Sequence, residues 1–417
     1  QANDELAHAN GIATALVQTL PKTRDVYRAS RLLLEAGQDG TRAAQLMAEG
    51  IQAAWSQSVT HPDERLLALQ THLRAATPLV AQANKAISAI DVTVLPVSTR
   101  AQVQGLQESL QQGERALADV SLLTDLGLTA VGRDRPRTYL FIFQNQTELR
   151  PTGGFMGSIA EVVLDRGELR SIRVPGGGPY DLRSQLRARV RPPEPLQLVS
   201  SRWEFQDANW FADFPTAAQK INWFWSQAGQ PTLDGIVTIN ARVLQDLLRI
   251  TGPVTLTAYG KTFDAENVLF ELQKSVELEY DKTENKPKKI IGDLLPEILS
   301  RLRGLSQDQM LVLMGSLTNS LQTKDIQLWF RGVDEQATIA ALGWDGAFPE
   351  GMGDTLAVNE ANIGGQKTDA VIQEQVDHEI EMKEDGSVFD TVTLYRRHTG
   401  EKGELFHGAN NVAYVRV

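Results

Sequence analysis

The sequence predicts an α/β core, a mixed sheet with flanking helices, preceded by an α-helical region and followed by a β-rich C-terminal module. Three observations carry this. Residues 1–135 are rich in Ala, Leu, Gln and Glu, poor in aromatics, and repeat their apolar residues at helical spacing. From the charged turn Gly132-Arg-Asp-Arg-Pro-Arg137 onward, short apolar runs alternate with helix-length segments. Beyond about residue 326, apolar and polar residues alternate in part with the period of antiparallel strands. The expected divisions are 1–135, 136–325 and 326–417.

In the first region, Leu32, Leu33, Leu34 and Ala36, then Ala43, Ala44, Leu46, Met47, Ile51 and Ala54, are compatible with one face of a helix. Gly37-Gln-Asp-Gly40 is expected to break the first pair of helices. Thr60-His-Pro-Asp63 is expected to end another helix and start the next, with Asp63 as N-cap. Leu66, Leu67, Leu69, Leu73, Ala76 and Leu79 continue the pattern, Val94-Leu-Pro-Val-Ser-Thr99 interrupts it, and Gln102 to Leu123 resumes it. A bundle or hairpin of four or five helices results. It contains no catalytic constellation and reads as a spacer or a surface for protein partners.

The core opens with strands at Tyr139–Phe143, Ser158–Leu164 and Leu169–Val174, the last two joined by the hairpin signal Asp165-Arg-Gly167. A helix at Phe214–Trp225 is capped by Asp213 or Thr216. Asp234–Ile239 has the composition of a buried strand. Ala241–Ile250 is a helix closed by Thr251-Gly-Pro253, and Val254–Ala258 is a strand. Helices at Ala265–Tyr280 and Ile290–Leu305 flank the basic run Lys282 to Lys289. In the last region, Ile326–Phe330, Thr355–Val358, Ala370–Ile380, Val388–Arg396 and Asn411–Val417 read as strands. Glu335–Leu342 reads as a helix and Lys383-Glu-Asp-Gly386 as a turn.

With 41 basic and 52 acidic residues the formal charge is −11, which argues against nucleic acid as a partner. The absence of cysteine excludes disulfides, thiol chemistry and Cys-ligated metals. No run reaches the roughly 18–20 apolar residues of a membrane span. A chain opening at Gln1 without Met is expected to be a mature or trimmed form, with an anchor or signal removed ahead of it.

The stretch Gln144-Asn-Gln-Thr-Glu-Leu-Arg-Pro-Thr-Gly-Gly-Phe-Met-Gly-Ser158 lies between two strands. Pro151 biases Arg150 toward an extended backbone, and Gly153 and Gly154 leave room for a close approach. An arginine beside bare amides suits a carboxylate or phosphate; the competing reading pairs Arg150 with Glu148 or a buried carbonyl. Arg150→Ala is then expected to weaken anion binding with little loss of stability. Gly176-Gly-Gly178 resembles an anion loop, although no Gly-Lys-Ser/Thr follows it; the plainer reading is a flexible turn. Asp181 is a candidate Mg²⁺ ligand with Asp207 or Asp213, or else a cap or turn residue. Trp203, Trp210 and Phe211 line a groove or belong to the core. Arg183, Arg187, Arg189 and Arg191 form a basic stretch, and Lys282, Lys286, Lys288 and Lys289 another, most simply solvated. The 6 histidines lack metal-ligand spacing and no Gly-x-Ser-x-Gly elbow is present.

The motifs QNQTELRPTGGFMGS, DANWFADFPTAAQKI, LDGIVTINARVLQDLLRITGPV and GDTLAVNEANIGGQKTD resemble, over roughly residues 25–417, a bacterial family of envelope proteins known as a domain of unknown function. That resemblance implies a membrane helix ahead of this chain and a position on the extracytoplasmic face of the cytoplasmic membrane. In order of elements the core also resembles the LytR-CpsA-Psr phosphotransferases, which move polymers from polyprenyl-pyrophosphate carriers to the cell wall. Ser171–Asp181 stands where that family has Ser-Ile-Pro-Arg-Asp, Asp207-Ala-Asn-Trp210 where it has its Asn-Ala segment, and Lys286–Ile290 where a basic segment opens a helix. The resemblance implies that Arg150, Arg173 and Lys286 or Lys289 hold a pyrophosphate, and that Asp181 helps bind Mg²⁺. Gly153, Gly154, Asp207 and Asn209 are expected around the ligand, a lipid-linked glycan. The Pro-Arg-Asp triplet is absent here, and lysines replace the paired arginines. A non-catalytic envelope protein that binds a glycan, lipid or protein partner stands as the alternative.

Overall fold

The computed structural model describes residues 21–56, 59, 61–348 and 355–417. The chain divides into two compact units, residues 1–136 with 164–168, and residues 137–163 with 169–417.

The described part of the first unit is built on α1 (Pro21–Ala54), α2 (Pro62–Ser88) and α3 (Val97–Ala130). One apolar cluster joins Ala29, Ala36, Ala83, Ile87, Leu95 and Val103, and another joins Ala43, Leu73, Ala76, Val80 and Leu117. Against expectation, α1 runs unbroken through Gly37 and Gly40. A helical glycine costs roughly 1 kcal/mol relative to alanine. Here both glycines lie open, with nothing within 4 Å of where a Cβ would stand, while Ala36 and Ala43 on either side are buried. Packing outweighs propensity, so fewer and longer helices replace the expected set. Asp63 is not the N-cap of α2, because His61 is and Pro62 occupies the first turn. Its carboxylate is fully buried, 2.9 Å from Arg133 Nη1 and 3.2 Å from Arg166 Nε. Thr60 lies outside the described residues.

The second unit is organised on a five-stranded mixed sheet in the order β3-β2-β1-β4-β7. Its strands are β1 (Arg137–Asn145), β2 (Phe155–Asp165), β3 (Glu168–Arg173), β4 (Gly235–Asn240) and β7 (Ile326–Phe330). β1 and β4 are parallel, with Leu140 opposite Ile236; β4 and β7 are antiparallel, with Ile236 opposite Trp329. The strand at 326–330, grouped by sequence with the C-terminal stretch, therefore completes the core sheet. Arg166 and Gly167 take φ of 53° and 80° between β2 and β3, the left-handed pair that a two-residue hairpin loop of type I′ requires.

Helix α4 (Phe214–Gln227) is capped by Asp213, whose Oδ2 accepts from the Thr216 amide at 2.9 Å. Its Phe214, Ile221, Phe224 and Trp225 pack with Leu140, Ile142, Met156, Ile159 and Ile236. Trp203 and Trp210 belong to this cluster, with Phe211 packed against it, so these rings are core and not an open groove. A second cluster is formed by α5 (Ala241–Thr251), β5 (Val254–Leu256), β6 (Lys261–Phe263), α6 (Val268–Lys274) and α7 (Lys289–Arg303), centred on Leu248, Val254, Phe263, Val268 and Leu294. The helix expected over 265–280 is shorter, ending in a π turn at Ser275–Glu279. Then follow α8 (Gln307–Gln322) and α9 (Val333–Ala341). The expected strand at Thr355–Val358 starts later, as β8 (Asn359–Asn362), and pairs with β11 (Ala413–Arg416). β9 (Ile372–Met382) and β10 (Val388–His398) form a separate two-stranded ribbon.

Candidate functional site

The loop after β1 is tied to the segment around β8. Leu149 N–H donates to Asp369 Oδ2 at 2.8 Å, Asn362 N–H to Leu149 O at 3.0 Å, and Asp369 N–H to Thr147 O at 3.2 Å. Arg150 is buried within these bonds. Nη1 donates to the Leu149 and Asn362 carbonyls, and Nη2 lies 3.3 Å from Asp207 Oδ1 and 3.7 Å from Glu148 Oε1. Its guanidinium carbon sits 5.1 Å from the Phe155 ring centre. Glu148 in turn pairs with Lys367. The charge of this buried guanidinium is already matched by two carboxylates, and Nη1 serves two carbonyls, while the buried Nε has no hydrogen-bond partner among the described residues. Removing the side chain strands the carboxylates' charge. The expectation that Arg150 faces an anionic ligand in a cleft gives way to its competitor: it cross-braces two distant segments.

The glycines beside it serve the same closure. Gly153 has φ of 116°, and a Cβ there would stand 3.1 Å from Asn240 Nδ2. A Cβ on Gly154 would fall 2.6 Å from the Asn145 carbonyl carbon. Both glycines thus admit the protein's own chain. Asn209, fully buried, donates to Thr152 Oγ1 and Gly154 O, each at 2.9 Å. Asp207 has its carboxyl raised above the usual range, chiefly by burial and against the pull of Arg150. Gly153, Gly154, Asp207 and Asn209 are brought together with Arg150, as wall rather than as opening.

A second locus surrounds the triple glycine. Gly177 N–H donates to Asp181 Oδ2 at 2.9 Å, and Gly178 N–H to Pro175 O at 2.9 Å. These amides are spent on the turn, so they make no anion nest. Lys288 N–H donates to Gly176 O at 2.8 Å, which seats the basic segment on the glycines. The Lys288 side chain lies across Gly178, where a Cβ would meet its Cγ at 3.3 Å. On either side Lys286 and Lys289 turn outward, and both bind Glu284, at 3.2 and 2.9 Å. Arg173 is half-exposed, 2.5 Å from Glu161 Oε2 and 2.9 Å from Gln230 Oε1, and shares no partner with Arg150.

Lys288 differs from all of these. Among the described residues its ammonium has no ion pair or hydrogen bond. Burial lowers its pKa to about 8, helped by the like charge of Lys367 and opposed by Glu277 and Glu148. Tyr180, next in the chain after the glycine loop and Pro179, lies 6.4 Å from Phe155 between ring centres. Its hydroxyl is raised by burial and by Glu148 and Asp207. Sequence reasoning assigned Lys286 and Lys289 to the ligand, counted Lys288 only within a solvated basic run, and gave no role to Lys367 or Tyr180. The only local signal was Pro287, which stiffens the chain at the point where one lysine of the run turns inward.

For Mg²⁺ the donor set fits poorly. Asp181 spends Oδ2 on its own turn, and among the described residues no three acidic or histidine side chains converge as ligands.

No described helix is long and apolar enough to cross a membrane. No curated protein matches the chain significantly. Among solved structures, the chain is similar to one described as the transcriptional regulator yvhJ from Bacillus subtilis. Identity is 13% over 62% of this chain and 90% of that one, with a TM-score of 0.26, too weak a likeness to bear on fold or role. Residues 134–276, from just before β1 to just past α6, match a family described as "Protein of unknown function (DUF4012)".

Proposed function

We propose that this is an extracytoplasmic envelope protein whose second unit binds the phosphate-bearing head of a lipid-linked glycan at Lys288. The observation that carries the reading is the contrast among the basic groups. Arg150, Lys367, Lys286 and Lys289 are held by carboxylates, whereas Lys288 is held by none among the described residues. A half-buried ammonium without a counter-ion gains most from an anion arriving, because the ligand supplies the missing charge in a region of reduced dielectric. The resemblance of the core order to the LytR-CpsA-Psr phosphotransferases supports a pyrophosphate as that anion; transfer to an acceptor would add a further step to this binding.

Calorimetric titration with a short-chain polyprenyl pyrophosphate, with and without Mg²⁺, tests this. Lys288→Ala is expected to weaken binding about tenfold or more, the scale of one charge-assisted contact. Lys286→Ala and Lys289→Ala are expected to leave it unchanged. Affinity should fall as pH rises through about 8, where free Lys288 gives up its proton. Absence of binding at millimolar ligand, or equal binding by Lys288→Ala, would overturn the reading.

A second reading, a protein partner, draws on the ribbon of β9 and β10. Val376, Ile380, Met382 and Val388 are exposed along one side of it. Substitutions there would leave pyrophosphate binding unchanged.

A further inference from the structure

The segment from Leu186 to Arg191 alternates inward and outward. Leu186 and Val190 pack against the main core cluster, and Trp203 N–H donates to Val190 O at 2.9 Å. Arg187, Arg189 and Arg191 are exposed. In an extended chain this period of two sets the arginines on one side, roughly 7 Å apart. Among the described residues none of them has a carboxylate partner. Arg191 instead donates to Gln197 Oε1 at 3.0 and 2.7 Å. Beyond Gln197, Leu198 is 80% and Val199 57% exposed, while Leu196 anchors the same turn in the core.

This arrangement is unusual for a chain with a formal charge of −11. Arginines without a carboxylate partner among the described residues, held at strand spacing, repel one another, and Leu198 and Val199 remain in water next to Gln197, which Arg191 holds. Both costs fall against a surface that is anionic outside and apolar just beneath. We propose that the arginine ridge and its Leu198–Val199 tip form a docking surface for an anionic phospholipid bilayer. The guanidinium groups meet lipid phosphates and the aliphatic side chains enter the acyl boundary. Exposed Glu194 is the opposing charge within the segment. The net negative charge elsewhere confines attraction to contact range, within a Debye length of about 8–10 Å. A polyanion in solution would satisfy the arginines but leave Leu198 and Val199 unused. This surface does not depend on the ligand proposed for Lys288.

Flotation of the full chain with phosphatidylglycerol vesicles tests it, with phosphatidylcholine vesicles for comparison. Binding is expected to phosphatidylglycerol only and to weaken in high salt. Replacing Arg187, Arg189 and Arg191 together by Ala is expected to lower partitioning roughly 100-fold, at about 1 kcal/mol per charge near the surface. Leu198→Ser with Val199→Ser is expected to lower it about tenfold. Because these side chains are exposed, thermal melting should be unchanged in both variants. Lys288→Ala should float like the unaltered chain, which separates this result from the glycan-binding test. The proposal is overturned if the chain does not float with phosphatidylglycerol, floats equally with phosphatidylcholine, or floats undiminished without the arginines. It is also overturned if polyphosphate binds the ridge and vesicles fail to compete.

Discussion

Arg150 and Lys288 make an instructive pair. Each is a cation beside a glycine-rich turn, and sequence alone favours Arg150 as the ligand contact. In the folded chain Arg150 meets Glu148, Asp207 and two carbonyls, while Lys288 has no such partner among the described residues. The difference lies in what the glycines admit. Around Arg150 they let the protein's own strand end and Asn240 come close; under Lys288 they let a lysine stem lie flat and leave its ammonium unpaired. A basic residue near glycines marks a ligand site only when the fold has not already supplied the counter-charge.

The sharpest way to break this comparison is Arg150→Ala. It should cost about 3–5 kcal/mol in urea unfolding, because it leaves buried carboxylates uncompensated. A loss below about 1 kcal/mol, the scale of an exposed ion pair, would make Arg150 a candidate ligand contact again. Arg150→Lys retains the charge but not the planar fork, and should cost roughly 1–3 kcal/mol; full stability would mean that the carbonyl bonds contribute little. The smallest effect is expected for Lys288→Met, which should raise stability at pH 7 by on the order of 1–2 kcal/mol, since solvent screens the half-buried charge. Its sign follows from a folded pKa near 8 against an ordinary 10.5. Below pH 8 both states hold the proton and the burial cost is complete. Between about 8 and 10.5 the folded state releases it first, so the unaltered chain gains stability and the gap closes. Urea midpoints at about pH 7 and pH 10 measure this, and a gap independent of pH would show that Lys288 is not strained by its surroundings.

Much of the architecture was legible because period and punctuation are local. The strands β1 and β4, the cap Asp213 and the turn at Arg166-Gly167 all follow from short patterns, whereas the parallel pairing of β1 with β4 does not. The continuity of α1 through Gly37 and Gly40 was not, since it depends on the partners that Ala36 and Ala43 find in space. The same holds for Asp63, whose signal as a cap was local and whose partners Arg133 and Arg166 are distant. At the site, the motif stretches around Arg150, Asn209 and Asn362 meet one another, so recognising them located a structural knot. Which of Lys286, Lys288 and Lys289 turns inward depends on where Glu284 and the Gly176 carbonyl lie, and lysine spacing carries no such information.

Asp63 has one more consequence, in the order of synthesis. Its second arginine, Arg166, is made some hundred residues after it, in the five-residue return 164–168 that completes the first unit. With chain growth at about 5–20 residues per second, the last helix emerges from the ribosome seconds before that partner does. During that interval the buried carboxylate has Arg133 at best. The helical unit matures only when the β2–β3 turn has left the ribosome, so a fragment stopped at residue 136 should be less stable than the same unit within the whole chain.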